Sequence, residues 1–590
     1  MTASVTSILV NELLPAMACR VAKAGIIGPP QAGDKRLRAL RADNAAMRMA
    51  PTFVNLLLAL LAVAATASAQ PGECLPLTPT GTQGGALLPG GLMNVRFGGT
   101  ESYPLALDVY PHADAATRPL AVVLRGGRGT IGQRSSYVGQ LVETFGDAGY
   151  VVATADYHSP SLDASAEDLT SALRMLTMCH ATALHIDQYK TMLVAEDSAA
   201  PVALLVAARL LELRLGRFAG APAAPAGVVV VGGRFTNAPA PAVPTWMVHG
   251  GADTEVPLAE ARALCTRATA ACEVIEVPGA SHRPENWWPS QWGYKADLLK
   301  AVSANVGAVP ASAGRHSPAS ARQAPAAADP PASARQALAG GGLRKRVVFD
   351  AAHGLTLDAW VPPGTAPHPA VVLVHGGGWE AGDRVTYIAP MFALAASKGL
   401  AWVSIDYRLT PDVTNREQVA DVAAALAWLR QHAGELGIDP SRLVLVGESA
   451  SGQLVAQLAA TERTLAGVVS FYGVYDLEAM AGDPSNPRSL ARRLFRLTAL
   501  DTGGRTQLRD FSPVHHASKD LPPLLLIVGT ADRLVAQQRA YATALKSAGA
   551  RVEAVEIDGA PHGMEAWNDE PAWRKWEATV GAWIARILGR

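Results

Sequence analysis

The chain repeats itself, and that repeat restricts its fold more than any other feature. "AVVLRGGRGTIGQR" from Ala121 is answered by "VVLVHGGGWEAGDR" from Val371, "ATADYH" by "VSIDYR", and "EDLTSALRML" by "ADVAAALAWL". Further on, "HIDQYKTMLVAEDSAA" is answered by "GIDPSRLVLVGESASG", "HGGADTEVPLAEARAL" by "VGTADRLVAQQRAYATAL", and "VPGASH" by "IDGAPH", in unbroken order. Each copy alternates short apolar runs with helical patterns, which is how βαβ units read in sequence. Two tandem α/β domains are expected, each a mostly parallel, doubly wound sheet with right-handed crossovers.

A compositional break separates the copies. Between Pro310 and Gly342 the chain narrows to Ala, Pro, Ser, Gln, Arg and little else, and "PASARQA" occurs at Pro318 and again at Pro331. Such a stretch buries too little apolar surface to order itself and reads as a flexible linker. The expected divisions are a first domain over 70–307, a linker over 308–342 and a second domain over 343–590. A chain of 590 residues accommodates two domains of that size.

Ahead of them, "MRM" from Met47 precedes the apolar run "PTFVNLLLALLAVAATASAQ", which ends in Ala67-Ser68-Ala69 before Gln70. A short basic start, an apolar stretch and a small-x-small site are the parts of a signal peptide, expected over 47–69. The run is short for a membrane span, so no stable span is expected once the leader is removed. Residues 1–46 read as an over-extended reading frame or a disordered extension, with export to the periplasm or beyond. The cysteines fit an oxidising compartment. Cys19 precedes the leader, leaving Cys74, Cys179, Cys265 and Cys272, all in the first domain. Cys265 and Cys272 stand where they can close a helix-to-strand loop. Lysine plus arginine and aspartate plus glutamate both number 51, which leaves no basic footprint for nucleic acid.

The second copy carries the chemistry. In "VLVGESASG" a buried strand runs into a small-residue helix, and Ser449 on the turn between them is the candidate nucleophile. A serine needs a base, and the base needs an orienting carboxylate. Asp532 in "LLLIVGTADRL" and His562 in "EIDGAPHG" each follow an apolar strand, at the sheet end where open α/β sheets build their sites. Upstream, "HGGGW" from His375 offers glycine amides, so the N–H groups of Gly377, Gly378 and Ala450 are the candidate oxyanion donors. Asp406 and Arg408 in "IDYRL" read as supporting residues without a catalytic part. Trp379 and Trp567 are candidates to line the cleft, and extra length between Tyr472 and Pro522 is expected to form a cap over it.

Together, "HGGGW", "DYRLTP", "GESASG", "TAD" and "APHG" resemble the α/β-hydrolase superfamily, most closely the hormone-sensitive-lipase-like and feruloyl/acetylxylan-esterase-like carboxylesterases. The resemblance covers Leu343 to Arg590 and implies an α/β-hydrolase fold and a serine carboxylesterase without metal or organic cofactor. One departure stands out. Where that family has glycine two residues after the serine, this chain has Ser451, expected to add modest strain.

In the first copy, counting from the shared Ile-Asp puts Asp197, not Ser198, at the nucleophile position. Ala195 replaces the first glycine of the turn, Arg125 and Arg128 replace His375 and Gly378, and Asp253 and His282 remain. Three readings stand: an aspartate nucleophile at Asp197, a turn shifted to Ser198, or a degenerate site in a structural partner. The expectation is the third. For the whole chain it is a secreted hydrolase of short acyl, acetyl or feruloyl esters, on small molecules or linked to polysaccharide. An amide- or formamide-cleaving serine hydrolase and a noncatalytic binding protein are the alternatives.

Overall fold

The computed structural model describes residues 74–81, 83–101, 104–126, 138–158, 161–215, 221–284, 287–288, 294–306, 341–567 and 572–590. The expected leader, the residues before it, the linker as far as 340 and Arg128 lie outside the described residues.

The first domain contributes eight strands: β1 (Leu92–Gly99), β2 (Pro104–Tyr110), β3 (Arg118–Leu124), β4 (Val151–Ala155), β5 (Ile186–Glu196), β6 (Gly227–Val231), β7 (Thr245–Gly250) and β8 (Cys272–Val277). The second contributes β9 (Gly342–Asp350), β10 (Leu355–Val361), β11 (His368–Val374), β12 (Ala401–Ile405), β13 (Ile438–Glu448), β14 (Gly467–Phe471), β15 (Leu524–Gly529) and β16 (Val552–Ile557). The sheet orders are β1-β2-β4-β3-β5-β6-β7-β8 and, read from the other edge, β9-β10-β12-β11-β13-β14-β15-β16. The topology is one pattern used twice. In each sheet the second strand runs antiparallel to its two neighbours and the remaining pairs are parallel. The central strands β3, β6 and β14 are buried along their whole length, which is why they read as unbroken apolar runs.

The copies differ most after their sixth strands. Between β6 and β7 lie 13 residues, and between β14 and β15 lie 52. The longer connection holds two helices, Leu490–Phe495 and Thr502–Asp510, at the place where extra chain was expected. Disulfides join Cys74 to Cys179 and Cys265 to Cys272, all in the first domain. No helix among the described residues is long and apolar enough to cross a membrane.

The two sheets share a core. Val138, Leu141, Val142 and Phe145 of the first domain pack in one cluster with Val385, Ile388, Met391 and Phe392 of the second. Gly84 lies so close that a β-carbon there would sit 2.3 Å from Ala396 Cβ, and its carbonyl accepts the Trp402 indole N–H at 2.6 Å. A buried ion cluster crosses the same surface. Glu143 of the first domain pairs with Lys345, with Arg384 at 3.3 Å and with Arg346 at 3.7 Å, while Arg346 also pairs with Asp147. Burial opposes charge on Glu143, but those cations outweigh it and hold the carboxyl down at about 2. Lone buried charge is expensive, so this cluster ties the docking of the domains to correct pairing.

Candidate active site

The candidate nucleophile sits on a turn that its neighbours force into shape. β13 ends at Glu448, the helix Ala450–Leu458 begins at once, and Ser449 between them has φ 55°, ψ −117°. A serine keeps such a backbone only where its surroundings over-determine it. Here the Ser449 N–H bonds Phe471 O at 2.9 Å, and a β-carbon on Gly447 would fall 2.5 Å from Ser451 O. Ser451 adds no strain, contrary to expectation. It is not among the residues with positive φ, its buried hydroxyl accepts the Glu448 N–H at 2.8 Å, and it lies 2.7 Å from Val374 O. The family's glycine position has become a tie between the turn and β11.

Two further turns converge on this one. His562, after β16, places Nε2 2.9 Å from Ser449 Oγ and Nδ1 2.6 Å from Asp532 Oδ2. Asp532, after β15, is buried, and its Oδ1 accepts the Leu534 N–H at 2.8 Å, which fixes the carboxylate plane. The structure thus brings Ser449, His562 and Asp532 into one hydrogen-bonded line. The third turn follows β11. Gly377, Gly378 and Trp379 have φ of 103°, 63° and 67°, and a β-carbon on Gly377 would lie 2.2 Å from Ala381 O. Ala450 opens its helix, so its N–H belongs to the first turn, where helical amides lack intrahelical partners.

Several supporting groups escaped the sequence reading. Glu448 accepts the Gly376 N–H and a bond from the Tyr472 hydroxyl. Burial pushes its carboxyl up to about 7, against the lowering effects of His562 and of those two bonds. The Tyr472 hydroxyl also accepts the Met564 N–H at 2.7 Å, and its ring centroid lies 4.6 Å from that of His562. Arg493, from the 52-residue connection, donates to Gly378 O at 2.8 Å and pairs with Glu380 at 2.8 Å. An acid next to the serine was visible in sequence; what it touches depends on folding. Trp379 and Trp567, expected along the cleft, are only 4% and 0% exposed. Their indole N–H groups bond Gln453 Oε1 at 3.1 Å and Pro561 O at 2.6 Å, so they belong to the core beneath the site. Asp406 accepts from Thr356 Oγ1 at 2.6 Å and Arg408 pairs with Asp421 at 2.6 Å, both in supporting positions.

Residues 371–566 match the family model described as alpha/beta hydrolase fold. Ethyl acetate hydrolase of Pseudomonas putida is 31% identical over 229 residues, which cover 36% of this chain and 71% of that protein. The chain belongs to the α/β-hydrolase family. Esterase LipC of Mycobacterium tuberculosis is 29% identical over 248 residues, covering 38% of this chain. The chain spans 60% of the length of LipC and 54% of that of another mycobacterial esterase, LipQ. Among solved structures, the thermostable carboxylesterase EstE1, cloned from a metagenomic library, is 26% identical; the match covers 43% of this chain and 94% of that one at a TM-score of 0.37.

The first domain presents the same hydrolase turns with other side chains. Asp197 has φ 47° and stands where Ser449 stands, with His282 Nε2 at 3.1 Å. His282 Nδ1 lies 2.8 Å from Asp253 Oδ2. Burial pushes the Asp253 carboxyl up, but the N–H groups of Val256 and Glu255 and the His282 contact bring it below the ordinary range. The aspartate at the nucleophile position meets the histidine. Ser198 lies inside a 3₁₀ turn, Asp197–Ala199, that precedes the helix Ala200–Leu215. Arg234 pairs with Asp197 at 2.7 Å and with Glu255 at 2.8 Å. Gly126, with its N–H on Glu196 at 2.8 Å, mirrors Gly376 on Glu448.

Proposed function

We propose that the second domain hydrolyses carboxylic esters through an acyl-enzyme on Ser449. The observation that carries this reading is the 2.9 Å and 2.6 Å line from Ser449 through His562 to Asp532, ending on a strained turn. In the first half-reaction Ser449 Oγ attacks the ester carbonyl while His562 Nε2 takes its proton. Asp532 holds the imidazole with Nδ1–H toward the carboxylate, so Nε2 is the atom left to act as base. The carbonyl oxygen becomes an oxyanion, held by the N–H groups of Gly377, Gly378 and Ala450. His562 then returns the proton to the leaving alcohol, and water, deprotonated by the same nitrogen, releases the acid.

The names of the relatives, among them an ethyl acetate hydrolase, support short acyl groups as the substrate class, and acetyl or feruloyl esters on polysaccharide fall within the same chemistry. Export supplies a reason for two disulfides and for the leader-like segment ahead of Gln70.

The first domain, in this reading, does not hydrolyse esters. A carboxylate adding to an ester carbonyl forms a tetrahedral intermediate that expels the carboxylate again, because it leaves more readily than an alkoxide. Arg234 further neutralises Asp197. Hydrolysis of p-nitrophenyl acetate by the full chain tests both statements. Ser449→Ala is expected to remove about 10⁴-fold or more of kcat, since removing a triad member cripples the unit. Asp197→Ala is expected to leave kcat unchanged. Activity that survives Ser449→Ala and disappears in Asp197→Ala would move the chemistry to the first domain.

A further inference from the structure

The first domain docks on the segment that continues from the glycine-rich turn. Gly377 O accepts the N–H groups of Glu380 and Ala381, and a β-carbon on Gly382 would fall 2.6 Å from His375 Nδ1, so residues 377–382 fold back onto the turn itself. Asp383 Oδ1 then accepts Val385 N–H and Thr386 Oγ1–H, each at 2.9 Å. Tyr387, at φ 63°, closes the circuit: its ring edge would lie 3.1 Å from a β-carbon placed on Gly377.

Several residues of this segment meet partners in the first domain. Gln140 Nε2 donates to Thr386 Oγ1 at 2.9 Å, with both side chains buried. Glu143 pairs with Arg384 at 3.3 Å. A β-carbon on Gly139 would sit 2.8 Å from Val385 O, and Val385 and Ile388 are buried in the same apolar cluster as Val138, Leu141, Val142 and Phe145. A hydrogen bond, an ion pair and apolar packing thus reach the same few residues from the Gly139–Asp147 helix and its surroundings.

We propose that the first domain is a positioning partner for the second domain's oxyanion turn: Gln140 and Glu143 hold Arg384–Thr386, and the adjoining Tyr387 holds the Gly377 peptide. The inference rests on the ester-hydrolase reading of the second domain. Its physical basis is that three successive residues at positive φ form an irregular turn outside any helix or strand ladder, while oxyanion donors act only from a fixed geometry. Arg493 of the long connection also holds the turn, at Gly378 O.

The test compares Gln140→Ala with wild type in the full chain. It measures kcat and KM for p-nitrophenyl acetate and Ki for an alkyl trifluoromethyl ketone. That ketone takes up Ser449 Oγ at its carbonyl carbon while the serine proton passes to His562, leaving an oxyanion in the turn. The expected result is a fall in kcat of about ten-fold, a fraction of what removing an oxyanion donor outright does. Ki should rise by the same factor, with KM within about two-fold because substrate contacts outside the turn are kept. Near-ultraviolet circular dichroism reports folding. If Gln140→Ala does not fold, Gln140→Asn, which keeps the amide but falls short of Thr386, gives the same reading. Wild-type kcat and Ki in a folded variant would overturn the proposal, as would a fall in kcat with Ki unchanged. Absence of turnover in the wild type itself would instead overturn the ester-hydrolase reading.

Discussion

Ser449 and Asp197 occupy the same place in two sheets of the same order, at φ 55° and 47°. Each meets a histidine, at 2.9 and 3.1 Å, that is held by an aspartate at 2.6 and 2.8 Å. Among the described residues the differences at the elbow include Gly447 against Ala195, a helix that starts at once against an intervening 3₁₀ turn, and an arginine on the first-domain carboxylate. A strained elbow and an oriented imidazole therefore belong to the fold and persist without a serine. What decides the chemistry is the nucleophile and the electrostatics of its immediate surroundings.

The sharpest way to break this comparison is to change the same carboxylate in both copies. Asp532→Asn keeps the shape but favours the wrong imidazole tautomer, and is expected to lower kcat for p-nitrophenyl acetate by about 10⁴. Asp253→Asn is expected to leave kcat unchanged. Equal losses in the two variants would mean that both sites turn over substrate.

The next largest difference lies in the covalent ties, which only the first domain has. Cys74–Cys179 spans a sequence separation of 105 and Cys265–Cys272 one of 7. On the chain-entropy account, replacing the first pair by serines costs about 5 kcal/mol and the second about 2.5 kcal/mol. Urea unfolding followed by a first-domain probe such as Trp288 fluorescence measures both. A larger effect from the short loop would show that native-state strain, not loop closure, sets the values.

Much of this architecture was legible in the sequence because it is written in local pattern. Fully buried strands read as apolar runs, the topology follows from the repeat, and the turns bearing Ser449, Asp532 and His562 each follow such a run. The domain contact was illegible for a physical reason. Burial of Glu143 is tolerable only because Lys345 and Arg384, each more than 200 residues away, pair with it, and Arg384 in turn pairs with Asp358. Ser451 read as a mildly strained substitute for glycine because a hydroxyl's partner on β11 is 77 residues away. Trp379 and Trp567 read as candidates for the cleft wall because the indole partners that anchor them inside are set by the fold.

A third contrast lies in the acid preceding each elbow. Glu448 and Glu196 both accept a glycine N–H from the turn after the third strand of their sheet, but Glu448 is buried and Glu196 half-exposed. Burial raises the Glu448 carboxyl from its ordinary 4.5 to about 7, so the folded protein holds this proton more tightly than the unfolded chain. Its contribution to stability is therefore fully present below pH 4.5 and is lost as pH rises through 7. Between pH 4 and pH 8 that loss amounts to roughly 3 kcal/mol. Glu448→Gln has no proton to lose, so its stability in urea should gain on the wild type by that amount over the same interval. Parallel stability curves for wild type and Glu448→Gln would place the Glu448 carboxyl in a setting that solvates its charge, and the contrast between the two acids would vanish.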